Sequence, residues 1–234
     1  MSIRYGQFCP VAKASEVLGE RWTILVIREL LSGATRYRDL QRGLALMSPT
    51  LLTKRLGQLT ACGLVERRPA TGRAHAEYHL TAAGRELRPV VEGLGHWGMK
   101  WARGTMDDKD LDVQALMLDV CRRLGDATLP SPHAVIAFSF PHLKKFGRWW
   151  VVIDPGRPAE LCDHPPGRPA NLQLQTTLRT MVEIWIGDTP LAAAIRDGRV
   201  RVEGDPGLTR TLPEWLPLGR LAHLKRAAVP LQNR

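Results

Sequence analysis

The sequence is poor in cysteine and spaces its cysteines widely. Four occur in 234 residues, and no two form a CxxC pair. Disulfide-stabilised domains and structural zinc sites need several closely spaced cysteines, so the spacing argues against both. The adjacent residues Cys162, Asp163 and His164 include metal-ligand types, but no second cluster accompanies them, and we expect no metal site. The cysteines are Cys9, Cys62, Cys121 and Cys162.

Other absences argue against further classes of protein, namely membrane proteins, nucleotide-binding proteins and enzymes. No apolar run approaches the length of a membrane span, and no charged, apolar, small-residue leader opens the chain, so we expect a cytoplasmic protein. No glycine-rich nucleotide-binding motif occurs, and we expect no cofactor. His133, His142 and His164 lack a serine or cysteine partner at a motif spacing. We therefore expect a protein that is not an enzyme.

Acidic residues are scarce in the first part of the chain. Residues 1–104 hold 16 Lys and Arg against 8 Asp and Glu, a net charge of +8. Residues 105–234 hold 17 against 15, a net charge of +2. The excess positive charge indicates that the N-terminal part binds a polyanion.

The stretch from Met47 to Thr81 organises this basic part. Ser48 is a good N-cap and Pro49 suits the first helical position. Leu52, Leu56 and Leu59 form one apolar stripe of the predicted helix. The opposite side is small, polar and basic, and Gly63 is expected to end the helix. That side carries Thr50, Thr53, Lys54 and Gly57.

Two strand-like runs follow this helix, over residues 64–68 and 77–80. The loop between them, residues 69–76, carries Arg73 and His75. A helix with a polar-basic face followed by a basic hairpin predicts a mainly-α winged helix-turn-helix fold. In such a fold the helix enters a major groove and the wing contacts the backbone or minor groove.

The predicted DNA-binding residues lie on this helix, on the wing and at the start of the preceding short helix. Arg36 and Arg38, near that start, suit phosphate contacts. Arg55 lies at the edge of the apolar stripe, so a structural ion pair is an equal alternative for it. The full set is Arg36, Arg38, Ser48, Thr50, Thr53, Lys54, Arg55, Arg68, Arg73 and His75.

A long helix is predicted from Thr81 to about Arg103, with a possible kink at Pro89. Leu94, Trp97 and Trp101 repeat on one face, and this stripe is longer than a single domain needs on its last helix. We therefore expect a homodimer held by the first helix and this one, which would match a two-fold operator.

Residues 7–104 resemble the HxlR-type winged helix-turn-helix regulators. The matching sequence segments are Cys9-Pro10, LGERWTILVIREL, YRDL, SPTLLTKRLGQLTACGLVERR and EYHLTAAGREL, and they occur in the family's order. The resemblance implies a dimeric bacterial DNA-binding protein. In this family the early cysteine is sometimes a redox or electrophile sensor, and it corresponds to Cys9. The alternative is a small buried residue at the dimer interface.

A second module is predicted after a charged hinge at residues 105–112. Residues 113–234 alternate strand-like runs with amphipathic helices and predict an α+β layer. The two-domain organisation is therefore 1–104, a hinge at 105–112, and 113–234.

The segment TTLRTMVEIWIGDTPLAAAIRDGRVRVEGDPGLTRTLPEWL is similar to the sterol carrier protein type-2-like fold. That resemblance, over roughly residues 110–226, implies an apolar tunnel for a lipid-like or other hydrophobic molecule. For any one large apolar side chain a place in the core is the better prediction, but so many of them in a small domain are also what a ligand cavity needs. The candidates are Phe138, Phe140, Trp150, Met181, Trp185 and Trp215.

Together these patterns predict a one-component transcription regulator. Its N-terminal dimer binds double-stranded operator DNA, and its C-terminal domain senses a hydrophobic small molecule. The alternatives are a redox or electrophile sensor acting through Cys9, a DNA-tethered lipid carrier or small enzyme, and a second domain that serves only for oligomerisation.

Overall fold

The computed structural model describes residues 4–69 and 76–227. The chain forms two compact units, Met1–Gly95 and His96–Arg234. The boundary between them falls earlier than residue 104, where the sequence places the end of the first domain. Arg73 and His75 of the predicted wing lie outside the described residues.

The first unit is built from short helices and one hairpin. Its core contains residues of α2, α3, α4 and both strands, among them Val26, Ile27, Leu40, Leu52 and Val65. The helices are α1 (Pro10–Leu18), α2 (Thr23–Leu31), α3 (Tyr37–Gly43), α4 (Pro49–Ala61), α5 (Ala82–Arg85) and α6 (Arg88–Trp97), and the antiparallel strands are β1 (Val65–Arg68) and β2 (Glu77–Leu80). The last two residues of α6 lie past Gly95, where the first unit ends.

Helix α4 begins and ends as its sequence dictates. The Ser48 hydroxyl accepts a hydrogen bond from the Leu51 amide at 3.3 Å, and Pro49 fills the first helical position. Gly63, just past the helix, has φ of +76°, a conformation that glycine adopts without a steric penalty. The inner leucines are 0–2% exposed, and burial of each such side chain stabilises the fold by about 1.5–3 kcal/mol.

The helix predicted from Thr81 to Arg103 is interrupted. Thr81 caps α5 by accepting from the Gly84 amide at 3.2 Å, and α6 begins separately at Arg88. Pro89 lies at the second residue of α6, where a missing N–H costs no helical hydrogen bond, so it does not kink a helix interior. A π-helical turn over Gly98–Ala102 and a 3₁₀ turn over Arg103–Thr105 follow α6.

The second unit contains a five-stranded sheet in the order β5-β4-β3-β6-β7. β3 pairs in parallel with β6, and the other neighbours are antiparallel. The strands are β3 (Ala134–Ser139), β4 (Arg148–Ile153), β5 (Glu160–Cys162), β6 (Leu172–Gln175) and β7 (Arg201–Gly204). This mixed sheet agrees with the α+β fold class that the sequence predicts.

Four helices pack against one face of this sheet and form the main core with it. They are α7 (Val113–Gly125), α8 (Leu178–Trp185), α9 (Leu191–Arg196) and α10 (Pro206–Trp215). Side chains from all four join Ile136, Phe138 and Leu174 of the strands in that core. Asp112, Thr177 and Asp205 accept from first-turn amides of α7, α8 and α10, as N-caps do. Within the described residues no helix is long and apolar enough to cross a membrane.

Candidate nucleic-acid interface

Helices α3 and α4 are joined by a direct contact across the turn. The Tyr37 hydroxyl donates to the carbonyl oxygen of Pro49 at 2.9 Å. The Thr53 hydroxyl donates to the same carbonyl at 3.0 Å and lies 3.5 Å from the Tyr37 oxygen. These bonds fix the first turn of α4 relative to α3. Tyr37 is not among the residues predicted from the sequence, although it is the first residue of the YRDL motif.

The outward face of α4 is the one that the sequence predicts. Thr50, Thr53 and Lys54 are exposed, while the leucine stripe packs into the core. Ser48 is exposed too, but its oxygen already caps the helix, so its main role is structural. An α-helix fits the major groove of B-DNA, and short polar and basic side chains at the front of α4 can reach base edges there.

Arg55 does not belong to this face. Its side chain is 9% exposed and pairs with the Glu20 carboxylate, and its Nε donates to the carbonyl of Arg21 at 3.0 Å. The Gln58 amide oxygen accepts from the same guanidinium. Arg55 therefore ties α4 to the start of α2, and the alternative of a structural ion pair applies instead of a phosphate contact.

Basic side chains flank α4 on both sides. Arg36 and Arg38 are exposed at the start of α3, and Arg68 is exposed on β1, where it pairs with Glu66. Arg67, which is not among the residues predicted from the sequence, is also exposed on β1. The adjacent arginines at the end of that strand are the signal that could have identified it.

The wing is attached to the start of α3. The Tyr78 amide donates to the Thr35 carbonyl at 2.7 Å, and Arg36 forms an isolated bridge with Glu77. The Glu77 carboxylate lies 3.1 Å from the imidazole of His79 and 3.5 Å from Nε of Arg36. The hydrogen bond with His79, assisted by Arg36, lowers the pKa of Glu77 below its usual 4.5. An ionised carboxylate thus lies among the candidate phosphate-binding arginines.

The predicted dimer residues are partly exposed on the chain. Leu94 and Trp97 on α6 are 46% and 52% exposed, and Trp101 in the π-helical turn is half-buried. Val90 of α6 and Val11 of α1 are also exposed, at 46% and 73%. These are the exposed apolar side chains that α1 and α6 would contribute to an interface.

Cys9 occupies the N-cap position of α1 and is partly exposed. Its carbonyl accepts the Lys13 amide at 3.0 Å, which is the first hydrogen bond of the helix.

The residues predicted to line a ligand tunnel separate into two groups. Phe138, Phe140, Met181, Trp185 and Trp215 are 0–7% exposed and pack together in the main core. The indole N–H of Trp185 donates to Asp119 at 2.7 Å, and that of Trp215 donates to the Leu208 carbonyl at 3.2 Å.

Trp150 lies on the opposite face of the sheet, so its place in the predicted pocket set is wrong. It packs with Val135, Val152 and Cys162. Consecutive strand residues alternate faces, and its neighbour Trp149 is the one that points into the main core. Phe140 borders a cavity at the end of β3.

The packed helices α2, α3 and α4, the cap at the start of α4 and the adjoining hairpin define a winged helix-turn-helix unit. A family model described as HxlR-like helix-turn-helix matches residues 17–106. Two relatives that are 38% and 33% identical, and that this chain covers over 72% and 90% of their length, share the same region. The chain belongs to this family.

Relatives in three genera match this part of the chain. An HTH-type transcriptional regulator of Mycobacterium tuberculosis, Rv3095, is 42% identical over 89 residues, covering 38% of this chain and 56% of the relative. The chain thus spans about half the length of that relative. The Synechocystis regulator sll1512 is 38% identical over 98 residues, with 41% of this chain and 72% of the relative covered. YvaP of Bacillus subtilis is 33% identical over 98 residues, covering 41% and 90%.

Solved structures resemble the same region. The transcription factor PA1607 is 34% identical with a TM-score of 0.38, covering 40% of this chain and 65% of that one. The reduced form of the redox regulator HypR is 30% identical with a TM-score of 0.37, covering 38% and 90%.

Proposed function

We propose that this protein is a one-component transcription regulator that binds operator DNA as a homodimer. The observation that carries the proposal is the exposed polar-basic face of α4, held in place by the Ser48 cap and the Tyr37 bond. The net charge of +8 in residues 1–104 supplies the attraction for the phosphate backbone. Membership of the HxlR-like family supports the same function.

In this proposal the residues have distinct roles. Thr50, Thr53 and Lys54 contact base edges in the major groove, because they occupy the exposed front of α4. Arg36, Arg38 and the arginines of β1 contact phosphates, which orient the protein without specifying sequence. Arg73 and His75 extend that role to the wing.

The test is selection of bound sequences from a random DNA pool with the full chain, followed by titration of the selected site. Lys54→Ala and Thr50→Ala should weaken the selected site more than random DNA. Lys144→Ala, an exposed change in the second unit, is the matched control and should leave both unchanged. Affinity should also fall steeply as salt rises. A folded protein that selects no sequence would refute the proposal.

The homodimer is part of the same proposal. Helices α1 and α6 are the first and last helices of the winged helix-turn-helix unit. Their exposed apolar side chains supply the surface that a dimer would bury. Leu94→Glu should give monomers and weaken operator binding, because a two-fold site needs both half-site contacts. Leu218→Glu, at another exposed leucine, is the control. Sedimentation that shows an unchanged mass for Leu94→Glu would contradict this assignment.

We also propose that the second unit is the effector domain. Its order of elements, α8 followed by the Gly187–Leu191 turn, α9, β7 and α10, supports the sterol-carrier-like resemblance. The tight packing of Phe138, Met181 and Trp185 indicates that a ligand would need either another site or an opened core. Extraction of the purified protein with organic solvent, followed by mass spectrometry, tests whether a hydrophobic molecule occupies it. A co-purified lipid turned over by the protein would favour the carrier or enzyme alternative instead.

A second sensing mechanism is favoured by the position of Cys9. A partly exposed thiol at the start of a helix is accessible to oxidants and electrophiles. Treatment with diamide should then change operator affinity in the native protein and not in Cys9→Ser. An equal response in Cys9→Ser, with Cys62 intact, would assign any oxidation effect to another thiol.

A further inference from the structure

A cavity of about 480 Å³ lies within the second unit, between α8 and the segment that precedes α7. This volume falls in the range of small-molecule sites. None of the six residues predicted to form an apolar tunnel lines it. Part of its wall is apolar and is formed by Met106, Leu111, Val182 and Ile186.

Arg103 lies in the wall of this cavity and is buried, with 7% of the residue exposed. One of its terminal nitrogens donates to the Ile186 carbonyl at 2.9 Å, and the other lies 3.3 Å from the Asp188 carboxylate. Its Nε has no hydrogen-bond partner among the described residues. A guanidinium carries five N–H donors, so this buried cation is not fully paired among the described residues.

Two further arginines border the same cavity. Arg226 pairs with the Asp188 carboxylate, and the Nε of Arg179 donates to the Asp108 carboxylate at 2.8 Å. The lining thus contains three guanidinium groups against the carboxylates of Glu183 and Asp188. Asp108 pairs with Arg179 from outside this lining, so the three guanidinium groups gain an excess of positive charge only when Asp108 is displaced.

The ion pair between Arg179 and Asp108 is the contact in which a ligand carboxylate can replace a side chain of the protein. The Asp108 side chain is 83% exposed, and it lies on a 3₁₀ turn of the segment between α6 and α7. An exposed ion pair contributes little to stability, so a competing carboxylate can replace Asp108 at small cost. Arginine binds carboxylates in a bidentate manner, which favours such an exchange.

We propose that this cavity binds a small amphipathic carboxylate, with its anionic group on Arg179 and Arg226 and its apolar part against Met106, Leu111, Val182 and Ile186. The bound carboxylate takes the place of Asp108 and releases the 108–110 turn from α8. This inference deepens the effector role proposed above, because it assigns the ligand class and the site. A regulatory effect of the ligand rests on the proposed function.

The direct test is calorimetric titration of the full-length protein with hexanoate and with benzoate, in the absence of DNA. For ligands of this size we expect a Kd of roughly 10 µM to 1 mM. Hexylamine and hexanol, which lack the carboxylate, should bind at least about tenfold more weakly. Equal binding of all four probes would overturn the assignment of an anion site.

Two variants locate the site. Arg179→Gln and Arg226→Gln should each weaken hexanoate binding about tenfold or more, and Arg210→Gln, an exposed change on α10, should not. Circular dichroism confirms that each variant is folded. Absence of binding to the native protein below about 10 mM, or binding unaffected by both variants, would overturn the proposal.

A separate measurement distinguishes this proposal from the regulator function. Operator affinity is measured with and without saturating hexanoate. A carboxylate that binds at Arg179 yet leaves operator affinity unchanged would support the site and contradict its effector role. A protein that binds no DNA, but still binds hexanoate, would refute the regulator function and leave the site in place.

Discussion

The Tyr37 hydroxyl donates a hydrogen bond of 2.9 Å to the carbonyl of Pro49, across the turn between α3 and α4. Pro49 is the first residue of α4, and its carbonyl also accepts from Thr53. The contact therefore links the orientation of the proposed DNA-contacting helix to the helix before it. The contact involves one side chain and one backbone atom. A substitution that removes only the hydroxyl oxygen of Tyr37 therefore tests its role.

Tyr37→Phe should weaken operator binding and destabilise the first unit slightly. Loss of one such hydrogen bond costs about 0.5–1.5 kcal/mol, while the ring keeps its packing. Urea unfolding measures the stability, and fluorescence anisotropy with labelled operator measures the affinity. Tyr5→Phe, at a tyrosine that is 56% exposed, is the matched control and should change neither quantity. Unchanged DNA affinity in Tyr37→Phe would show that the bond does not position α4.

Lys54 and Arg55 are adjacent, yet their substitutions should have opposite effects. Lys54 is exposed on the outward face of α4, so Lys54→Ala should weaken specific DNA binding by about 1–3 kcal/mol with little effect on stability. Arg55→Ala removes the buried partner of Glu20 and should destabilise the unit by about 1–3 kcal/mol. Glu20 keeps access to water, which holds this cost below that of a fully buried pair.

The two measurements are best made on the same preparations. Thermal unfolding gives the stability of each variant, and anisotropy at low temperature gives the DNA affinity of the folded protein. If Lys54→Ala loses stability, or if folded Arg55→Ala loses sequence-specific affinity as strongly as Lys54→Ala, the assignment of the two side chains to different roles is wrong.

The sequence predicts α4 closely because its determinants are local. Ser48, Pro49 and the leucine stripe act within one helix, and the structure places them as expected. Arg55 could not be assigned in this way, because its partner Glu20 is 35 residues away. Trp150 was placed in the pocket set because the sequence does not show which of two adjacent tryptophans faces the helices. Consecutive strand residues alternate faces, and Trp149 is the one in the main core.

The region after Thr81 shows a second limit of prediction from the sequence. Its apolar repeat predicts one continuous helix, but the structure contains two helices and a π-helical turn. Glycines at positions 84, 93, 95 and 98 weaken helical continuity, and side-chain periodicity does not register that cost. The arginine cavity was missed for another reason, since Arg103, Arg179 and Arg226 are separated widely in the chain.

Glu77→Gln should strengthen DNA binding. The Glu77 carboxylate is ionised at neutral pH, since His79 and Arg36 lower its pKa, and it competes with phosphate for Arg36. Removal of one negative charge near the proposed interface should raise affinity for all sequences by roughly 2–5-fold at low salt. Glu214→Gln, at an exposed glutamate of α10 in the second unit, is the control. A decrease in affinity for Glu77→Gln would indicate that the Arg36–Glu77 pair is needed to position the wing.

Asp154 should make the second unit sensitive to acid. Its carboxylate accepts from Arg168 at 3.0 and 2.9 Å and lies 3.2 Å from Nδ1 of His133, and these contacts lower its pKa from 3.8 to about 2. A depressed folded-state pKa gives stability that is fully present above pH 3.8 and is lost as the pH falls toward about 2. The pair is partly exposed, so the effect should be small.

The measurement is the melting temperature of the native protein and of Asp154→Asn, from neutral pH down to about 2. Asn cannot ionise, so the variant should lack the part of the acid destabilisation that belongs to Asp154, and the two curves should converge as the pH falls below 3.8. Asp126→Asn, at an exposed aspartate after α7, is the matched control and should follow the native curve. Parallel curves for the native protein and Asp154→Asn across this range would show that the contacts of Arg168 and His133 with Asp154 do not contribute to folding.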